Sequence, residues 1–288
     1  MKSKNKDTMK NGKKINKKHL LYFLLLITFP PVTIEMLSGS TPPTYYFNPL
    51  TILIFALCYG LPFVLIREMK IRWNLDWSFI FLFPIVGIYI EGIFMQSFFN
   101  PAHLDLEKLS GFGMYSGVQW PWSIYLIIMH GIFSVVIPMF IIDILFPSMK
   151  KVPMLKPVSG IVSLVGITLV TLLQFFVIST DKEGMYKNYS VDIPKTLICI
   201  GIVLVLVLLS YLFRNVKLKK SLFYNRKRDH FLGFIYLFLV LLATYAFIDF
   251  SAIATIIALV LVSLLLLKFS ISYIYKSTRS SDNLMPLY

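Results

Sequence analysis

Residues 47–66 read FNPLTILIFALCYGLPFVLI and run directly into REMKIRW at 67–73. A hydrocarbon layer about 30 Å thick is crossed by about 20 mostly apolar helical residues at 1.5 Å each. This stretch has that length, no charged residue, and Arg67, Lys70 and Arg72 crowded at one end. It is a membrane span with its basic end held on the cytoplasmic side.

Seven further stretches of the same kind follow the same logic, so the sequence predicts an all-α polytopic transmembrane helix bundle of about eight spans. They cover 19–37, 47–66, 77–99, 120–147, 158–179, 194–213, 231–249 and 252–275. Composition agrees: 57% of the 288 residues are apolar, 15% are charged, and the mean hydropathy is +0.74. A soluble domain is closer to 45–50% apolar and about one quarter charged. The apolar runs leave no room for a separate soluble domain, so 19–275 is expected to be a single membrane domain. It is flanked by a basic, solvated tail at 1–18 and a polar tail at 276–288.

The net charge of +14 is distributed as a membrane protein's would be. Eight lysines precede the first span, and seven basic residues lie between Arg214 and Arg228. Smaller groups occur at Arg67, Lys70 and Arg72, at Lys150, Lys151 and Lys156, and in the C-terminal tail. The opposite side receives only Lys108, Lys182, Lys187 and Lys195. Cytoplasmic connections carry the Lys and Arg excess, so both termini are expected in the cytoplasm and the location is the plasma membrane. Orientation accounts for the basic blocks, and no nucleic-acid partner is expected. Trp73 and Trp77 at the inner end of span three, and Trp120 and Trp122 at the outer end of span four, fit an interfacial belt. The charged and apolar start resembles a signal peptide, but Pro30, Pro31 and Glu35 interrupt the region where cleavage would occur, so it reads as a retained span.

Ionisable groups inside a span cost at least about 2.5–3.5 kcal/mol at mid-bilayer, so each needs a partner or a purpose. Candidates are Glu35, Glu91, His130, Asp143 and Asp249. Asp143 and Asp249 fall near span ends, from which a side chain can reach water. Glu91 lies eight residues before Phe99 and His130 ten after Trp120, placing them roughly 12 and 15 Å deep at 1.5 Å per residue. Adjacent antiparallel spans three and four would bring that pair into contact. Ser134, Ser123 and Gly87 lie on the same stripes. Glu35 follows Pro30 and Pro31, which remove backbone donors and predict a kink. The outer connection SFFNPAHLDLEKLSGFGMYSGVQWPW is apolar enough to fold back over the bundle.

These residues frame a polar site in the outer half of spans one, three and four. Glu91, His130 and Glu35 are the candidate functional residues, and Glu91 with His130 the candidate metal ligands. The two cysteines, Cys58 and Cys199, show neither disulfide nor zinc spacing. No Walker loop, GxSxG elbow, HExxH or GxGxxG after a strand occurs, and no cofactor is expected. The bilayer is the evident partner, with a homo-oligomer or a second membrane subunit left open.

The strings EMLSGSTPP (35–43), YYFNP (45–49), YIEGIFMQSFFNP (89–101), GVQWPW (117–122) with His130, and FP (146–147) resemble an uncharacterised family of prokaryotic multi-pass membrane proteins. The resemblance covers spans one to four and implies topology without an activity. Glu91 and His130 also loosely resemble one member each of the first two motifs of the CAAX-protease and bacteriocin-processing family of intramembrane metalloproteases. That pattern is a double Glu then Arg, followed by two helices each bearing His. Here Ile90 and Gly92 flank Glu91, Leu126 stands where an aromatic is expected, and no third helix supplies His, since His230 is at a cytoplasmic boundary. Two readings follow: a non-enzymatic protein (small-solute permease, immunity or structural membrane factor), or an intramembrane hydrolase using Glu91 and His130.

Overall fold

A computed structural model describes residues 17–36, 40–103, 113–181 and 183–216. Six helices among them are long and apolar enough to cross a membrane: Lys17–Met36, Pro49–Arg72, Trp77–Phe94, Trp120–Leu145, Pro157–Thr180 and Ile193–Asn215, here spans 1 to 6. The last two expected spans, 231–249 and 252–275, the tails at 1–16 and 276–288, and Asp249 lie outside the described residues.

Spans 1, 2, 5, 3 and 4 pack in that order around a ring, and span 6 lies against span 3. Span 3 is the centre, with 72% of its apolar window buried, against 17% for each of spans 5 and 6. The outer faces of those two helices, including Leu164, Leu172, Phe176, Leu197 and Leu204, are exposed apolar surface of the kind that faces lipid.

The close contacts within the ring are made by glycine. Pro31 has no N–H for the carbonyl four residues back, that of Ile27. That freed oxygen lies against Gly60 of span 2, where a Cβ would stand 2.2 Å from it. Gly87 brings span 3 onto the backbone of Ile127 in span 4 in the same way, with a hypothetical Cβ 2.6 Å from the Ile127 Cα.

Two boundaries differ from expectation. Span 2 was expected to end at residue 66, but its helix continues to Arg72 because Arg67 and Glu68 are buried and satisfied within the protein. Arg67 Nη2 donates to the Met149 carbonyl at 2.8 Å, and Glu68 accepts from Met154 N at 2.6 Å and Arg72 Nε at 3.0 Å. Span 3 was expected to reach 99 and stops at Phe94. Gln96 takes a left-handed backbone, φ 58°, and its side-chain amide caps the carbonyls of Gly92 and Ile93 at 3.1 and 3.0 Å. Residues 96–100 then run buried over the bundle. Past the undescribed 104–112, a two-residue hairpin pairs β1 (Met114–Tyr115) with β2 (Val118–Gln119). Its turn residues Ser116 and Gly117 both have positive φ, as a tight I′-type turn requires.

Candidate functional site

Four of the six spans contain a π-helical segment: Val32–Met36, Ala56–Gly60, Ile88–Phe94 and Gly131–Val136. Each lies within four residues of a proline: Pro31, Pro62, Pro84 and Pro138. A proline deprives a carbonyl of its partner, and the widened π turn re-registers the chain around that gap. Such turns change which side chains face the interior and are frequent at functional sites. Glu35, Tyr59 and Glu91 lie in the first three segments, and His130 immediately precedes the fourth.

The expected Glu91–His130 contact is present, with His130 Nε2 2.9 Å from Glu91 Oε1. The depth arithmetic behind it changes, because Glu91 sits only three residues before the end of its helix. It is half-buried beneath the folded-back segment above it, whose Ser97 hydroxyl donates to Glu91 Oε2 at 2.5 Å. Trp122 Nε1 in turn donates to Ser97 Oγ at 3.2 Å. On the other side of the ring, Ser134 Oγ lies 3.4 Å from His130 Nδ1.

Glu35 joins this level through a residue that the sequence did not single out. Tyr59 donates its hydroxyl to Glu35 Oε1 at 2.5 Å, and its ring stacks on the His130 imidazole, with centroids 5.7 Å apart and planes 12° from parallel. Thr41 donates to the other Glu35 oxygen at 2.6 Å. Among the described residues the Glu35 carboxylate does not bond to Glu91 or His130, and the Tyr59–His130 ring stacking links the two chains of hydrogen bonds.

The two carboxylates are held alike. Each commits one oxygen to a helix partner, Tyr59 or His130, and the other to a hydroxyl on a connection between spans, Thr41 or Ser97. No Lys or Arg among the described residues bonds to either carboxylate. Tyr46, outside the spans, lies close by; burial and then the neighbouring Glu35 charge push its phenol up to about 12, so it stays a neutral donor. His103 is buried 6.1 Å, ring to ring, from Trp122 and near Glu91. Among the described residues no group of three His, Cys, Asp or Glu side chains is arranged to hold a metal ion. The donors at this level are one imidazole and two separated carboxylates.

Gln96 secures the roof. Besides its two caps it donates to Thr196 Oγ1 at 2.9 Å, and it accepts from Tyr189 OH and Asp192 N at 3.2 Å each. The connection carrying Ser97 is thus tied to the start of span 6.

No curated protein and no solved structure matches this chain. The model of an uncharacterized membrane protein family matches residues 24–283, which include every residue of the arrangement just described. That match spans nearly the whole sequence, and the chain belongs to this family of membrane proteins.

Proposed function

We propose that this is a non-enzymatic multi-pass protein of the plasma membrane, a small-solute permease with both ends in the cytoplasm and eight spans. Its outer polar station of Glu35, Tyr59, Glu91 and His130 would receive the solute. The observation that carries this reading is the matched holding of the two carboxylates. Thr41 and Ser97 are neutral hydroxyls on connections outside the helices. A solute N–H or O–H replaces such a hydroxyl one for one without leaving a buried carboxylate oxygen bare. The helix-held oxygens, fixed by Tyr59 and His130, keep the carboxylates aimed while this exchange occurs. The ligand class is a small polar molecule rich in donors, such as an amine or a polyol.

The experiment is a thermal-shift screen of detergent-purified full-length protein against a panel of amines, polyols and amino acids. At least one panel member stabilises the wild type, and Glu35→Gln and Glu91→Gln abolish that shift while remaining monodisperse. A panel without any hit, or hits unchanged in both variants, overturns the reading.

One contact favours the hydrolase alternative. Ser134, His130 and Glu91 form a hydroxyl–imidazole–carboxylate series, with the imidazole bonded to Glu91 at 2.9 Å. Ser134 is fully buried and its 3.4 Å approach is long, so the permease reading stands first. In a metal-dependent version, only Glu91 and His130 would serve as ligands at this level, below the usual three.

A further inference from the structure

Spans 1 to 4 hold four acidic side chains, Glu35, Glu68, Glu91 and Asp143, and three of them face a group able to carry positive charge. Glu68 accepts from Arg72 Nε at 3.0 Å and lies 3.4 Å from Arg67 Nη1. Glu91 has His130 at 2.9 Å. Asp143 was expected to reach water from the span end; instead it is buried, facing the charges of Lys70, Lys150 and Arg67. Glu35 differs. It is 9% exposed, and its two oxygens accept from the hydroxyls of Tyr59 and Thr41, which are neutral. Among the described residues its charge acts on Tyr46, Cys58 and Tyr59, none of which becomes a cation. A buried carboxylate held only by neutral donors keeps an uncompensated charge.

Aromatic rings lead to that charge. From Phe47, which is 64% exposed, the rings touch in series. Centroids are 5.6 Å apart for Phe47 and Tyr46, and 5.7 Å apart for Tyr46 and Phe55, for Phe55 and Tyr59, and for Tyr59 and His130. The series runs from the protein surface to the hydroxyl that holds Glu35. Ring faces carry the negative lobe of the π quadrupole and attract weakly hydrated organic cations.

We propose that the station binds an organic ammonium ion, with Glu35 as its counter-charge and the ring series from Phe47 to Tyr59 as its approach. The inference rests on the permease reading and narrows its solute from donor-rich polar molecules to cations. An ammonium N–H replaces the Thr41 hydroxyl on Glu35 as a polyol O–H would, but only the ammonium also cancels the charge. A hard metal ion fits less well, because such ions take roughly six oxygen ligands. Glu35 offers its own two oxygens and two hydroxyls, and the neighbouring surface is aromatic.

The test is equilibrium titration of the detergent-purified full-length protein with 2-hydroxyethylammonium chloride and with ethane-1,2-diol, which match in length and differ in charge. The wild type binds the ammonium at least about tenfold more tightly than the diol. Glu35→Gln removes that preference. Phe55→Leu, which leaves both Glu35 hydrogen bonds in place, weakens ammonium binding about two- to fivefold. Equal affinities for the two probes, or an ammonium affinity untouched by Phe55→Leu, overturn the proposal, as does displacement of the ammonium by an equal concentration of sodium. Should Glu35→Gln fail to fold, the probe pair and Phe55→Leu still decide. Diol binding without a preference for the ammonium leaves the permease reading standing. Ammonium that is bound but not taken up into proteoliposomes removes that reading and keeps the site.

Discussion

Substitution of Gly60 by alanine tests whether the polar station depends on the contact between spans 1 and 2. The new methyl would stand 2.2 Å from the Ile27 oxygen, 2.6 Å from its Cα and 2.7 Å from its carbonyl carbon. All three are backbone atoms, so no side chain can swing aside. Ordinary contact begins at 3.4 Å, so the two helices must separate locally by about 1.2 Å. Overpacking of this kind costs about 1–3 kcal/mol. Tyr59 is the next residue, and a shift of that size carries its hydroxyl from 2.5 Å to beyond hydrogen-bonding distance of Glu35. A buried carboxylate that loses a donor adds about 1–3 kcal/mol. The sum, about 2–6 kcal/mol, lowers the midpoint of thermal unfolding in detergent by at least about 4 °C. Gly160 is the control, since a Cβ there meets nothing within 4 Å, and Gly160→Ala in the helix Pro157–Thr180 leaves the midpoint unchanged or raises it slightly. A Gly60→Ala midpoint equal to that of the control refutes the reasoning.

Two further substitutions probe the roof over the station. Gln96→Leu removes two N–H donors shared among the Gly92, Ile93 and Thr196 oxygens, and an oxygen that accepts two hydrogen bonds, from a fully buried position; it destabilises the protein by about 2–4 kcal/mol and speeds amide exchange in the first turn of span 6, read by mass spectrometry. Asp192 caps that turn through Lys195 N at 3.0 Å, and the Lys195 ammonium at 2.5 Å holds its carboxyl below the usual carboxylate range. Because the folded value is the depressed one, the cap's contribution is complete above about pH 4 and is lost as pH falls through the folded value. Exchange in this turn therefore accelerates only under acid conditions, and Asp192→Asn abolishes that dependence.

The parts of the fold readable in the sequence were those set by bulk transfer free energy. Twenty apolar residues name a span whatever their neighbours do, so the six described helices fall close to the expected ranges. The ends were harder, because a charge ordinarily marks water. Arg67 and Glu68 violate that rule because backbone groups of residues 149–154 satisfy them, and such partners lie some eighty residues away in sequence. The meeting of Glu91 with His130 was legible from shared level and antiparallel order. Tyr59 was not: in an apolar run it counts as one more aromatic, and its role depends on a π turn that redirects it. The signal available was the proline spacing, since Pro31, Pro62, Pro84 and Pro138 each adjoin one of the four π segments. Of these, the sequence predicts a deformation only at Pro30 and Pro31, and predicts it as a kink.

A packing device and a binding station make different demands on a buried carboxylate. Packing is served best when every lone pair is bound by a rigid helix, because a mobile partner returns less than the desolvation it leaves. Apolar side chains would join spans 1 to 4 at lower cost. Glu35 and Glu91 are arranged otherwise: each divides its two oxygens between a helix and a connection between spans, on different spans and with different helix partners. Two independent instances of one division are hard to attribute to packing. On the proposed permease reading, this division keeps each carboxylate aligned while one of its oxygens changes partners. Spans 5 and 6, packed on spans 2 and 3 and exposed on their outer faces, add no polar side chain to either carboxylate.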